Sequence, residues 1–555
     1  MQACLVSAWA LAVAAGNVPL PGTSSVSVPL SPPSACGRCH GDLDAYAPHD
    51  AWSGSVMGHA ARDPVFLAAL TIADQDLVGV GDLCLRCHAP EAWLQGRCVD
   101  TTGRLLLPDD SGVTCSVCHR MEPTPYVRNG QYIVADDTVM RGPYEVTPAP
   151  HQHAYATWIS DPALCGTCHN LFNPLVKRRT LTGTITHMPF PEQATYEEWA
   201  QSAFAREGGD DCISCHMPDN EGVVGRGGSI RADRSSHELS GANTFLLESI
   251  ALLFPDLGLA THLENGRARV LATLRRAARV EVIDAPTLVA RGERFEVRVQ
   301  VTNLTGHKLP TGYPEGRRAF LVVRGSTLAP AWDQDGEPID PLEVYQSVQG
   351  QAGLGPGHHV ALNDTIFLDT RIPPRGMIST ATIAPVGKRY EEVAPGVLAH
   401  WDELVWTATA PCDRAETSVR GELGLFYQVL TPRYANTLIT EAALDPRTDL
   451  LALAFMTLDP QPVEIASTSV EVMIDPASEC GPPDAGIPDR GEPPAADAGR
   501  LTDAGAADAA TTPPDDGCGC RAAARPMTDG LGHFGVLLFL VWAGRWGLRR
   551  RKGSE

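Results

Sequence analysis

The chain has 555 residues, room for two or three domains, and 43% of them are hydrophobic, an ordinary share for globular cores. With 66 acidic against 44 basic residues the formal net charge is −22, which argues against nucleic acid as a partner. Sixteen cysteines are too many for a purely structural reading to pass without inspection.

Residues 1–16, MQACLVSAWALAVAAG, have an apolar core and end in small residues. They read as a secretory signal peptide that carries Cys4 away, with a buried N-terminal helix as the alternative. Residues 17–34 are rich in Pro and Ser and read as a linker.

Then comes Cys36-Gly37-Arg38-Cys39-His40, repeated as Cys84…Cys87-His88, Cys115…Cys118-His119, Cys165…Cys168-His169 and Cys212…Cys215-His216. Cys-x-x-Cys-His is the attachment signature of c-type haem. Two thiols add to the two vinyl groups on one porphyrin edge, and the next residue sets an imidazole under the iron. Composition alone predicts roughly 0.01 copies in such a chain. Zinc is the serious alternative. Zinc ribbons set their paired units roughly 15–20 residues apart. Here 44, 27, 46 and 43 residues separate the units, and zinc gives no reason for a histidine after every pair.

Ten cysteines are thus assigned to five covalent haems, and five histidines to their proximal ligands: His40, His88, His119, His169 and His216. From Cys36 to His216 there are 181 residues, about 36 per haem, too few for an independent protein core. Porphyrins wrapped in short helices and loops are expected to be that core. Within the region, Asp63 as N-cap and Pro64 as first residue predict a helix through Ala73.

Residues 35–250 resemble the multihaem cytochromes c of the cytochrome c-552/c-554 type. The matching stretches are Trp52–Met57, Ala61–Phe66, Cys84–Pro90, Gly112–Arg120, Phe190–Gln193 with Tyr196–Trp199, Cys212–Pro218 and His237–Asn243. The resemblance covers about 40% of the chain and implies stacked haems that pass electrons, without naming a substrate.

Residues 251–279 read as a connecting helix with Arg residues on a solvated face. Residues 280–475 change character. Phe295–Val301 alternates apolar and polar, and Ala319–Val323, Leu404–Ala408, Gly424–Leu430 and Val470–Ile474 are similar. They predict an antiparallel β-sandwich. The block Asn303–Arg318 looks like one that accompanies haem modules in large bacterial multihaem cytochromes. A disulfide between Cys412 and Cys480 would tie the end of this region to its body, while Cys98 has no evident partner.

Residues 476–516 are Pro, Asp, Ala and Gly, a disordered linker by composition. Residues 517–555 hold Gly517-Cys518-Gly519-Cys520, an apolar run and Arg549–Lys552. This resembles the C-terminal sorting signal of myxobacterial surface proteins, which implies processing near Cys518 or Cys520 and anchoring at the cell surface or outer membrane. The alternatives are a retained membrane anchor on a periplasmic protein and a buried helix.

Twelve histidines remain for distal positions. His237 is the first choice, because it follows the last motif in a matching block. At least one of His151 and His153 is expected to serve, and His307, on a Gly-flanked loop, could reach across from the β region. His49 and His59 flank the Trp52 block, and Met57 lies at the family's Met position, where packing against porphyrin is the competing role. Because these three cluster near the first motif, the first iron is where an open or Met-ligated site is expected.

The leading function is therefore single-electron relay between redox partner proteins, or to an extracellular acceptor. The alternative is a multihaem oxidoreductase acting on a small nitrogen or sulfur compound at one open haem. Architectural relatives include nitrite reductases and hydroxylamine oxidoreductases, but the Cys-x-x-Cys-Lys variant of the former is absent. A third reading is a binding surface protein with haems as scaffold.

Overall fold

The computed structural model describes residues 18–146, 149–325, 344–349 and 358–481. The expected signal peptide, most of the Asp/Pro linker and the C-terminal tail lie outside them. None of the helices among the described residues is long and apolar enough to cross a membrane.

Residues 18–31 do not hang free as a linker. Thr23 N–H donates to the Tyr132 carbonyl and Val26 N–H to Leu94. Arg120, 1% exposed, donates to the carbonyls of Val28, Pro29 and Ala135. A buried guanidinium needs acceptors, and an extended strap with free carbonyls supplies them.

The Asp63–Ala73 expectation corresponds to the helix Pro64–Asp76, whose N-cap Asp63 accepts from Val65 N–H at 2.8 Å. Its apolar face joins Leu85, Trp93, Val117, Met121, Tyr132 and Val134 in one cluster. The motif region therefore does build an apolar protein core of its own, contrary to the expectation from residue count. The long segments between motifs fold back on that helix. Cys98 is part of this cluster, and burial pushes its thiol up to about 12, so it behaves as a packing residue.

After the last motif come two helices, Thr244–Leu253 and Ala260–Leu274, capped in the first case by the Asn243 side chain. Ala278, expected at the end of a connecting helix, instead opens the strand Ala278–Asp284. Nor is the basic face simply solvated: Arg269 lies over the Tyr46 ring and pairs with Glu238 at 3.6 Å.

Every predicted strand core overlaps an observed strand. Arg294–Asn303 pairs antiparallel with Trp401–Thr409 and with Ala278–Asp284. Arg318–Gly325, Ser418–Gln428, Val463–Ile474 and Leu288–Val289 form a four-stranded sheet. Alternate residues of both sheets, among them Val297, Val299, Leu423, Leu425 and Val472, enter one shared core. Leu246, Ile250, Leu263 and Val270 from the two preceding helices belong to it too.

Two features weave the early and late segments together. The strand Thr365–Asp369 adds in parallel to Leu171–Arg179, which itself pairs with Ile185–Gln193. The helices Pro432–Glu441 and Thr448–Leu458, inserted between two strands of the four-stranded sheet, pack Leu438, Leu451 and Ala454 against Ala68, Ile72 and Phe245.

Cys412 and Cys480 are bonded, 68 residues apart in sequence. A loop of that length restricts the unfolded chain enough to contribute about 2–4 kcal/mol. Cys412→Ser should lower the unfolding free energy by that amount in a urea titration, and dithiothreitol should have the same effect on the parent chain.

Candidate functional site

The second to fifth motifs begin or lie within short helices: Gly81–His88, Cys115–His119, Pro162–Gly166 and Cys212–His216; the first ends the helix Pro33–His40. Helical geometry over Cys-x-x-Cys puts both thiols on one side, with the histidine following the second. Asp161 caps the fourth and Asp211 the fifth, each accepting from a backbone N–H at 2.8 Å.

Three motif histidines donate Nδ1–H to a backbone carbonyl: His40 to Val224 at 2.7 Å, His119 to Arg141 at 2.6 Å and His216 to Ser240 at 2.5 Å. A carbonyl only accepts, so the proton must sit on Nδ1. That leaves the Nε2 lone pair free, as an iron ligand requires.

Each of these three faces a second imidazole. Ring centroids are 6.4 Å apart for His40 and His151, 6.1 Å for His119 and His237, and 6.3 Å for His216 and His307. Two imidazoles on opposite sides of one metal, each at a bond length of about 2.0 Å, would place their centroids roughly 6.3 Å apart. The second histidines also use Nδ1 locally, on the carbonyls of Gln152, Ser235 and Lys308.

Local structure delivers each partner. The strand pair Met140–Gly142 with His153–Tyr155 carries the Arg141 carbonyl on one strand and His151 just before the other. The hairpin Asp219–Val223 with Ile230–Ser235 ends its first strand next to Val224 and its second next to His237. Arg234, buried, pins that hairpin to Asp44 at 2.9 Å. Gly225 lets the turn close on His40, where a Cβ would come within 3.2 Å of the ring. Asn303 shapes the His307 loop by donating to the His307 carbonyl and accepting from Thr305 N–H, both at 2.8 Å.

His88 stacks on Phe66 at 3.8 Å, and His169 lies near Gln193. Among the described residues no imidazole stands opposite either at the spacing of the three pairs. Burial pulls His88, His169, His237 and His307 down to about 4, which keeps them neutral. His88, His237 and His307 are half-buried and His169 is exposed, so each keeps surface that a flat apolar group could cover.

The motifs also adjoin one another. The free thiol of Cys36 lies in hydrogen-bond contact with Cys115, that of Cys87 with Cys168 and that of Cys165 with Cys212, and Cys118 lies near Cys168. These contacts link the sites in the order first, third, fourth, fifth, with the second beside the fourth. The contact with Cys115 lowers the Cys36 thiol to about 7.

Other expected ligands take different places. His59 is engaged elsewhere: its Nε2 donates to the Ser53 carbonyl at 2.9 Å, its Nδ1 faces Arg62 at 3.3 Å, and burial holds it at about 4. His49 packs against Gly37 and tilts onto Trp52, opposite no imidazole. His153 lies against Gly142, with its neighbour His151 facing His40. Met57 contributes its carbonyl, which accepts from Val113 N–H at 3.0 Å. Among the described residues the first motif, expected to hold the open position, has a facing imidazole, and the second and fourth have none.

Sequence reasoning missed the carbonyls of Val224, Arg141 and Ser240, since every residue has one and only the fold selects them. It also missed a buried charge cluster beside His307. Lys308, fully buried, donates to Asp369 at 2.7 Å; Arg371 pairs with both Asp369 and Glu198. Burial pushes Asp369 up, but Arg371 and Lys308 outweigh it and hold the carboxyl at about 2. A depressed carboxyl contributes stability above its unfolded value near 3.9, which is lost as pH falls through 2. Acid unfolding should therefore steepen between pH 4 and 2 by about 2 kcal/mol, and Asp369→Asn should flatten that window.

A groove of about 340 Å³ lies elsewhere, on the four-stranded sheet, lined by Arg324, Glu422, Phe426 and Glu464. No protein-family model matches the sequence, and no curated protein does. Among solved structures, a penta-heme cytochrome c552 from Thermochromatium tepidum aligns at 18% identity over 82% of this chain and 100% of its own, with a TM-score of 0.43.

Proposed function

We propose that the chain is a pentahaem c-type cytochrome that relays single electrons, with a haem-packed module followed by an antiparallel β-sandwich. The observation that carries this is the set of three imidazole pairs, each spaced for one iron and each led by a Cys-x-x-Cys-His histidine. The residues fit the group: ten cysteines would hold five porphyrins, and the paired histidines would saturate three irons. Saturated iron changes oxidation state without binding substrate, which suits relay. The contacts between neighbouring motifs support a continuous path. Export and anchoring by residues 517–555 at the cell surface, toward redox proteins or an extracellular acceptor, complete the reading.

The test is the purified, exported protein. Five covalent haems should appear in its intact mass under denaturing conditions and in its alkaline pyridine spectrum. Fewer than five, or bound zinc, would overturn the reading. The second reading, an oxidoreductase acting on a small nitrogen or sulfur compound, is favoured by one observation: among the described residues no imidazole faces His88 or His169. A high-spin fraction that shifts on adding nitrite, hydroxylamine or cyanide would support it. An all low-spin, unresponsive spectrum would remove it.

A further inference from the structure

Two separate sequence blocks, Tyr196–Trp199 and Asn303–Arg318, meet in the fold. Glu198, completely buried, accepts from Lys308 N–H at 3.1 Å, from the Thr311 hydroxyl at 2.7 Å and from Arg371 at 3.1 Å. Asp369 accepts from Lys308 Nζ at 2.7 Å and from Arg371 Nε and Nη2, each at 2.8 Å. Two cations and two anions thus interlock, drawn from the helix Thr195–Ala200, the His307 loop and the end of the strand Thr365–Asp369. The space beside them is only about 10 Å³, room for one water at most.

Buried charges cost several kcal/mol each to desolvate, and apolar packing of similar volume would stabilise as well. What a paired set adds is geometry: each hydrogen bond holds its partners within tenths of an ångström. Lys308 is the residue next to His307, and its own carbonyl accepts from His307 Nδ1 at 3.0 Å. Glu198 and Asp369 therefore grip the backbone and side chain of the residue that orients this imidazole.

We propose that Glu198 and Asp369 are positioning residues for His307, holding its imidazole opposite His216 so that a segment from the β region completes the fifth haem site. Without them the fifth motif would keep its haem, but His307 would no longer be held where it could ligate the iron. This rests on the haem reading given above, and it deepens that reading by making the β region part of a cofactor site.

Spin state, carbon monoxide binding and redox potentials of the full-length holoprotein test it. Relative to the parent chain, His307→Gly should turn one further iron in five high-spin, open it to carbon monoxide, and be restored by added imidazole. If it does not, the ligation reading fails, and the proposal with it. Asp369→Asn leaves Lys308 and Arg371 side by side without the anion between them. It should produce the same one-in-five signature and the same imidazole rescue, the other four irons being unchanged. Glu198→Gln, which keeps the shape and removes one charge, should give that signature at a smaller fraction, and it decides alone if Asp369→Asn does not accumulate. If His307→Gly behaves as expected but the charge variants keep the wild-type spin states and potentials while losing only thermal stability, the cluster is structural and the proposal is overturned.

Discussion

Replacing Cys115 and Cys118 together by alanine should remove one haem of the five and break the path between the first and the fifth. The third motif stands between the first and the fourth, with Cys36 at Cys115 and Cys168 near Cys118. Stopped-flow reduction should show the first haem still reduced by its donor while the fourth and fifth stay oxidised. The stability loss should also be large. A porphyrin buries several hundred Å², which at about 25 cal/mol per Å² is on the order of 10 kcal/mol. That is comparable with the whole stability of a domain. The matching change at Cys212 and Cys215 should shorten the path only at its end. Native first-to-fifth transfer in the Cys115/Cys118 variant would mean that the order read from thiol contacts is wrong.

The second large effect concerns the seam between early and late segments. Phe245 is 2% exposed and packs with Ala68 and Ile72 on one side and Leu438 and Leu451 on the other. Phe245→Ala should cost about 3–5 kcal/mol, a transfer term plus a cavity that the surrounding helices fill only in part. Because the seam joins both regions, haem absorbance and far-ultraviolet ellipticity should move together to a lower midpoint. Two separated transitions would show that the regions unfold independently, as the sequence-based boundaries near 250 and 280 imply.

These two results bear on the same point. An electron relay needs fixed distances between haems, and little protein is present per haem to fix them. The mixed sheet of Thr365–Asp369 with Leu171–Arg179, the Arg234–Asp44 pair and the His307 loop all bring distant segments to bear on the motifs. In the proposed relay, the β region would stiffen the haem module as well as space or dock it.

By itself the sequence determined the parts whose chemistry is local. Cys-x-x-Cys-His is contiguous because one porphyrin edge and one iron dictate its spacing, so all five motifs are legible as candidate haem sites. So were the helix after Asp63, the strand cores of the β region and the Cys412–Cys480 bond, since capping, alternation and pairing of spare thiols are short-range or arithmetical signals. Only the tertiary structure decided the second imidazoles. His59 and His151 are equally plausible by type, and both lie within hydrogen-bonding reach of a carbonyl. The fold spends Nε2 of His59 on Ser53 and sets the His151 ring 6.4 Å from that of His40. The reason is physical: the facing imidazole is set by where the chain returns after 91 to 118 residues, the spans from His216 to His307 and from His119 to His237, and no local pattern encodes that return. The same holds for Lys308, Glu198, Asp369 and Arg371, whose charges are unremarkable in sequence and become a clamp only when burial brings them together.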